Sequence, residues 1–301
     1  MSEFLKHGDL VEHASMGLGK VIEADEVHLH VYFLEQESRF AAKLKRNLVG
    51  SLLRRATSHA HPELDALPLF VRDGGRYRLE QEVMTFDQAV ARFRQEFPDS
   101  FGDAKYAREE RNYKWKAHEA LTAAFGDGKG LRLIAEGRVR EVVETALHTE
   151  RKTNLTHPQF EKPRIADALA DPDAAAAFFT ALFRLVELQR PTQPAFEELV
   201  RAMDALPTPG GPLARWPTVS IFPALLRPDA FIFFRPTFTQ EAAARLAYEL
   251  NYKPEPNWLT YKSVLGFADV LLTKLKPLGA KDFVDVQSFI YVTASGAGYN
   301  K

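Results

Sequence analysis

Apolar and polar residues alternate strictly between Val27 and Phe33, with Val27, Leu29, Val31 and Phe33 on one face and His28, His30 and Tyr32 on the other. A period of two marks a half-buried strand, so this stretch predicts a strand with the aliphatic set inward and the histidines and tyrosine outward. Upstream, Leu10 and Val11 precede, and Val21 and Ile22 follow, a turn carrying Gly17 and Gly19. That layout reads as a tight connection between antiparallel strands. Leu34 to Ser38 turns the chain again, and Arg39 to Leu44 returns as a further strand. Four or five short strands within about 50 residues cannot bury a flat sheet on both faces and curl into a small barrel.

The period then changes. Ser58 to Gly75 reads as loop, with Tyr77 to Leu79 a possible short strand. Thr85 and Gln88 form a capping box, and Phe86, Ala89, Val90, Phe93 and Phe97 follow on one helical face. Asp103 caps a longer helix to about Phe125, with Tyr106, Tyr113, Ala117, Leu121 and Ala124 inward, and a third helix is expected from Leu131 to Leu147. Residues 149–163 are polar and read as an exposed loop. Asp171 before Pro172 starts a helix that buries Phe178, Phe179, Leu182, Phe183 and Val186, and a shorter helix follows from Pro194 to Leu206. Pro207 to Pro212 reads as a linker between subdomains. Trp216 to Pro223 and Ala230 to Pro236 are aromatic segments with strand propensity. Thr239 is expected to cap a helix to about Asn251, Thr260 another ending before Pro277, and Asp282 a last one to Val292.

The pattern thus predicts an α+β chain, mostly α. A small N-terminal β-barrel over 1–56 precedes a helical domain over 76–206 and a mainly helical C-terminal subdomain over 213–294, with a short β element near 216–236.

Composition narrows the chemistry. There is no cysteine, which excludes disulfides, thiol catalysis and cysteine-ligated metal centres. The net charge of −1 gives no whole-molecule attraction to nucleic acid, so any such contact needs a local patch. Charge is segregated in the β module: residues 1–38 carry eight acidic and two basic side chains, and residues 39–55 six basic ones and no acid. Arg39, Lys43, Lys45 and Arg46, with the outward His30 and Tyr32 beside them, form a candidate ridge for phosphates or for an acidic protein surface. A second candidate is the stripe Lys105, Arg108, Arg111 and Lys114, continued by Trp115 and Lys116, on the exposed side of one helix. Pairing such as Glu110 with Lys114 accounts for the same residues structurally.

Other patterns carry less. His28 and His30 could share a metal with His7 or His13, but outward histidines on a short strand are ordinary surface residues, as is the His59 and His61 pair in its loop. Gly126, Gly128 and Gly130 with Lys129 resemble a phosphate cradle, yet they follow a helix and lack the Gly-Lys-Ser/Thr ending of a P-loop. No nucleophile elbow, zinc-protease helix or dinucleotide glycine pattern occurs. No catalytic residue, metal or cofactor is assigned. No apolar run approaches the ~18 residues of a membrane span, and the opening residues lack a signal-peptide layout, so a cytoplasmic protein is expected.

The run Phe4, Gly8, Asp9, Val11, His13, Gly17, Gly19, Val21 and Ile22 resembles the SH3/Tudor-like module at the C-terminus of UvrD-type helicases. It is similar as well to the RNA-polymerase-interacting domain of CarD-type regulators. The resemblance spans about a sixth of the chain, and the helicase motor is absent. It implies an SH3/Tudor-like barrel that docks a partner, RNA polymerase, and has no chemistry of its own. Pro256 to Tyr261 together with Asp285 to Phe289 resembles uncharacterised bacterial proteins, some associated with DNA restriction. Two functions follow as expectations. One is a non-enzymatic adaptor that docks RNA polymerase or nucleic acid, with a protein partner also possible through the aromatic C-terminal region. The other is an accessory or effector protein of a DNA-restriction or phage-defence system, with an active site somewhere in residues 216–292.

Overall fold

The computed structural model describes residues 5–35, 40–58, 60–65, 67, 70–73, 75–79, 84–208, 211, 213–295 and 299. Phe4, Ser38, Arg39, His59, Pro209, Gly210 and Pro212, all part of the expectations above, lie outside the described residues. The chain is mostly helical, with an N-terminal curled antiparallel sheet of five strands. It divides into two compact units, Met1–Glu82 and Val83–Lys301. No helix among the described residues is long and apolar enough to cross a membrane.

In the first unit the strands are β1 (Leu10–His13), β2 (Gly17–Ala24), β3 (His28–Phe33), β4 (Ala42–Lys45) and β5 (Leu53–Arg55). They pair antiparallel in the order β4-β3-β2-β1-β5. The β1–β2 turn is where the glycines place it: Gly17 has φ +73, and a Cβ on Gly19 would sit 2.6 Å from the Phe33 ring. A register shift between Val21 and Glu23 bends the sheet. Leu29, Val31 and Phe33 point inward as the alternation requires, packing with Leu5, Val11, Val21 and Leu53. Val27 does not join them. It precedes the strand and is 58% exposed.

The opposite face of the sheet is not open. The stretch expected to be loop holds a helical turn α1 (Pro62–Asp65) and a strand β6 (Phe70–Asp73), which pairs in a hairpin with β7 (Arg76–Leu79), the short strand expected at Tyr77 to Leu79. Leu64 packs on Leu10 and Ala56, with Leu18, Tyr32 and Leu34 beside them, so the sheet has apolar contacts on both sides.

The second unit is built from helices. They are α2 (Phe86–Glu96), α3 (Ala104–Tyr106), α4 (Asn112–Phe125), α5 (Lys129–Ala135), α6 (Val139–Arg151), α7 (Glu161–Ala168) and α8 (Pro172–Glu187). The rest are α9 (Gln193–Asp204), α10 (Trp216–Leu226), α11 (Pro236–Ala244), α12 (Trp258–Leu275) and α13 (Phe283–Thr293). The Thr85 capping box forms as the sequence requires, with Gln88 N donating to Thr85 Oγ1 at 3.2 Å and Thr85 N to Gln88 Oε1 at 2.8 Å. Asp171 and Asp282 cap α8 and α13 one way only, their side chains accepting from Ala174 N and from Val284 N and Asp285 N.

Several boundaries differ from the expectation. The helix foreseen over 131–147 is two, broken at Gly137 with φ +75. Residues 149–163 are not an exposed loop: Thr149, Glu150, Thr153, Leu155 and Thr156 are buried, and α7 begins at Glu161. Thr239 lies inside α11, which starts at Pro236, and its hydroxyl donates to Arg235 O. The cap of α12 is Asn257, which accepts from Thr260 N at 2.9 Å.

The largest correction concerns residues 216–236, where no strand occurs among the described residues. Trp216–Leu226 is a helix buried almost all round, so it shows no amphipathic period and is hard to tell from a strand by pattern. Phe231, Ile232, Phe233 and Phe234 are extended and fully interior, but without a paired strand. Side chains and nearby turns serve their backbone instead: Phe234 N donates to Ser220 Oγ, and Tyr261 OH donates to Ile232 O at 3.0 Å. The aromatic C-terminal segment is therefore core and offers no docking surface.

Phe93 is central to this unit, its ring 4.7 Å from Phe101, 5.2 Å from Phe97 and 5.3 Å from Phe289. All three tryptophans, Trp115, Trp216 and Trp258, belong to the second unit, so their fluorescence reports its unfolding alone. In urea titrations read by tryptophan, Thr85→Ala is expected to cost about 1 kcal/mol. Phe93→Ala is expected to cost about 3–5 kcal/mol. Equal effects would show that the aromatic cluster contributes no more to this unit than the capping box does.

Candidate functional site

The two candidate basic surfaces meet opposite fates. On β4 the alternation turns Ala42 and Leu44 to the core and leaves Lys43 and Lys45 exposed. Lys43 lies opposite His30 and Lys45 opposite His28 across the β3–β4 ladder. No acid occurs from Phe40 to Ser58, so β4 itself carries positive charge only; Asp25 lies 3.6 Å from His28, the residue opposite Lys45.

His30 and Tyr32 share that face but are not outward. The Tyr77 ring meets His30 edge-on at 4.9 Å, and Phe70 meets Tyr32 at 5.4 Å. Ala41 N donates to Tyr77 O at 2.7 Å, which ties the hairpin to the start of β4. His30 is left 4% exposed. Strand periodicity separates the two faces of β3; it does not say that a later hairpin covers the second one. Arg46 is half-buried, its Nε donating to Asp25 O at 2.5 Å.

The same hairpin adds cations that the sequence reading passed over. Arg72 and Arg76 are exposed, and Arg72 pairs with Tyr77 across the β6–β7 register. A signal for them exists: two short runs, Phe70 to Asp73 and Arg76 to Leu79, separated by Gly74 and Gly75, are the mark of a two-residue hairpin. The candidate surface is therefore Lys43 and Lys45 on β4, and the adjoining hairpin adds Arg72 beside Tyr77 on one face and Arg76 opposite Asp73 on the other.

The second candidate surface dissolves. Lys105 and Arg108 remain on the outside, paired with Glu96 at 3.1 Å and with Glu109 at 3.0 Å. Arg111 and Lys114 face the interior. Their inward turn follows from a π-helical stretch, Ala107–Arg111, between α3 and α4. One extra residue in a turn rotates everything after it by about 100° relative to an unbroken α-helix.

That rotation builds a buried charge network onto α13. Lys114 is 3% exposed and donates to Glu110 Oε2 at 2.9 Å and to Ser288 Oγ at 2.8 Å. Glu110 Oε1 accepts from Tyr299 OH. Arg111 grips Asp282 through both terminal nitrogens, at 2.7 and 3.0 Å, and reaches Asp285 Oδ1 at 2.6 Å. Tyr106 OH donates to the same Asp285 oxygen at 2.5 Å. Burial and the adjacent Asp285 push the Tyr106 hydroxyl well above its ordinary value, so it stays protonated and donates. Burial draws the Lys114 ammonium down, and Glu110 opposes that. Partners within the protein take up these groups, so the network cross-links α3, α4 and α13 and presents no cation to a nucleic acid.

The glycine turn at Gly126 to Gly130 is a helix–helix connection. Gly128 has φ +71, Gly130 lies against the Phe183 ring, and Lys129 Nζ donates to Ala123 O at 3.3 Å. Among the described residues no group of three or more His, Asp or Glu is placed to hold a metal ion.

Two measurements check these placements. Removing one member of a buried ion pair costs about 3–5 kcal/mol, whereas replacing both by apolar groups is close to neutral. Lys114→Met is thus expected to destabilise the second unit by that amount, and the double variant Glu110→Leu with Lys114→Met to recover most of it; equal losses would mean the pair is not coupled. For His30, burial first and Lys43 second hold the imidazole below its ordinary value of 6.5. Stability from the neutral ring is fully present above that value and is lost as pH falls through the lowered one. Protection factors in β3, taken relative to the intrinsic exchange rate at each pH, should therefore fall on acidification, and His30→Leu should remove that dependence; pH-independent protection would place His30 in solvent.

Comparison with protein-family models, with curated proteins and with solved structures returns no match for this chain.

Proposed function

We propose that the chain is a non-enzymatic adaptor whose N-terminal β unit docks nucleic acid through its phosphates. The observation that carries this reading is the exposed pair Lys43 and Lys45 on a strand with no acid of its own, with Arg72 and Arg76 exposed on the covering hairpin. The curled five-stranded sheet supports the SH3/Tudor-like resemblance, in which such a module acts by docking. A protein partner of acidic character, RNA polymerase by that resemblance, is the alternative occupant of the same edge. The effector reading draws less support, because residues 216–234 supply buried core.

Cations at phosphates release counterions, so affinity falls with log salt by about 0.9 per phosphate contact on duplex DNA. Binding of the full chain to a fluorescent duplex, titrated across salt, should weaken steeply. The triple variant Lys43→Gln, Lys45→Gln and Arg76→Gln should flatten that slope by about three, while Arg140→Gln, an exposed residue of the second unit, should leave it unchanged. Absent binding, or a slope the triple variant does not alter, would refute the nucleic-acid reading. Salt-resistant capture of RNA polymerase would then favour the alternative.

A further inference from the structure

A narrow cleft of about 40 Å³ opens in the second unit where α4, the segment before α7, the extended stretch before α11 and the last helix α13 converge. Its polar lining is Tyr113, Lys114, Asn154, Arg235, Gln287 and Tyr291. Beside it lies a smaller, apolar lobe of about 20 Å³ that shares Lys114, Leu155, Phe233 and Gln287 and ends on Phe231 and Phe283. The polar part exceeds the roughly 10–15 Å³ that one water needs. It owes its position to the π-helical turn, which brings Lys114 inward, and such insertions are frequent at functional sites.

The chemistry of the lining selects its occupant. Lys114 is paired with Glu110 at 2.9 Å and Arg235 with Glu161 at 2.7 Å, so the two cations are already neutralised. A charged ligand would enter uncompensated, at a high desolvation cost. A neutral one meets both kinds of hydrogen-bonding group. Gln287 Oε1 is buried, and no donor among the described residues reaches it, so it calls for an N–H or O–H. Glu110 and Ser288 take two of the three Lys114 donors, and the third has only the Tyr113 ring, 5.3 Å away, so a carbonyl oxygen can replace that weaker contact. Asn154 Oδ1 accepts from Tyr113 OH, which leaves its amide nitrogen as a donor at the mouth. A donor and an acceptor on neighbouring atoms of a small neutral group is the description of an amide.

We propose that this cleft binds a small neutral ligand carrying a carboxamide or lactam group, with the N–H on Gln287 Oε1, the C=O toward Lys114 and Asn154, and a short hydrocarbon portion in the apolar lobe. The inference is independent of the docking role of the β unit.

The test uses three isosteric probes, butyramide, butyrate and butylammonium, titrated into the full chain and followed by NMR. Butyramide should bind saturably and shift the signals of Phe233 and Tyr291, with the charged isosteres at least tenfold weaker. Gln287→Leu should weaken butyramide at least tenfold. If that variant melts lower than the parent, Asn154→Ala, at an exposed position, should also weaken butyramide, and the location of the shifts in the unaltered protein supplies a third reading. Equal binding of all three probes, shifts scattered away from the cleft, or no saturation because water alone meets Gln287, would each overturn the assignment. Loss of the duplex-binding salt slope would leave this result untouched, so the two proposals fail separately.

Discussion

Charge that has been carried into an apolar interior must be paired there, and the second unit is organised around meeting that demand at one place. Arg111 and Lys114 enter from the helix that follows Tyr106, and α13 receives them with Asp282, Asp285 and Ser288. Asp282 does two jobs with one carboxylate, capping α13 and holding Arg111, and both acids sit at the end of the helix where the backbone dipole favours negative charge. The partners are separated by some 171 residues of sequence. The final helix is thus an integral wall of the core, and the unit closes only when its last segment has docked.

Around that polar seam the packing is dominated by aromatic rings. Phe93 touches rings from three other parts of the chain, including Phe289 on α13. Phe196, Trp216 and Tyr261 stack at small interplanar angles farther along, the Phe196 and Tyr261 rings 4.7 Å apart. The buried stretch Phe231 to Phe234 runs without a strand partner because Ser220 and Tyr261 supply hydrogen bonds that a neighbouring strand would otherwise make. This arrangement allows a long apolar run to cross the core without forming a sheet.

The cations of the chain fall into two kinds, and that contrast underlies the functional reading. In the helical unit Arg111, Lys114, Arg235 and Arg245 are held by acids of the same unit. In the β unit Lys20 and Arg55 are likewise held, by Asp65 and Asp9, whereas Lys43 and Lys45 stand exposed on a strand that contains no acid. Charge available to a partner is a matter of what the protein leaves unneutralised, and a count of basic residues along a helix does not reveal it.

Local rules carried much of this structure in the sequence. Thr85 with Gln88, and Asp171 before Pro172, announce their helices because capping is settled within four residues. Leu29, Val31 and Phe33 announce their face because side chains alternate along any strand. The cationic β4 edge was legible for the same reason. Three things were settled only in three dimensions. His30 became interior because a hairpin more than forty residues later folds over it, a covering no periodicity of β3 encodes. Trp216 to Leu226 and Phe231 to Phe234 look alike as apolar runs, and whether such a run coils or extends depends on the hydrogen-bond partners around it. Finally, a single π-helical turn swung Arg111 and Lys114 from the outer face to the inner one, since helical phase is cumulative and one added residue displaces every side chain that follows.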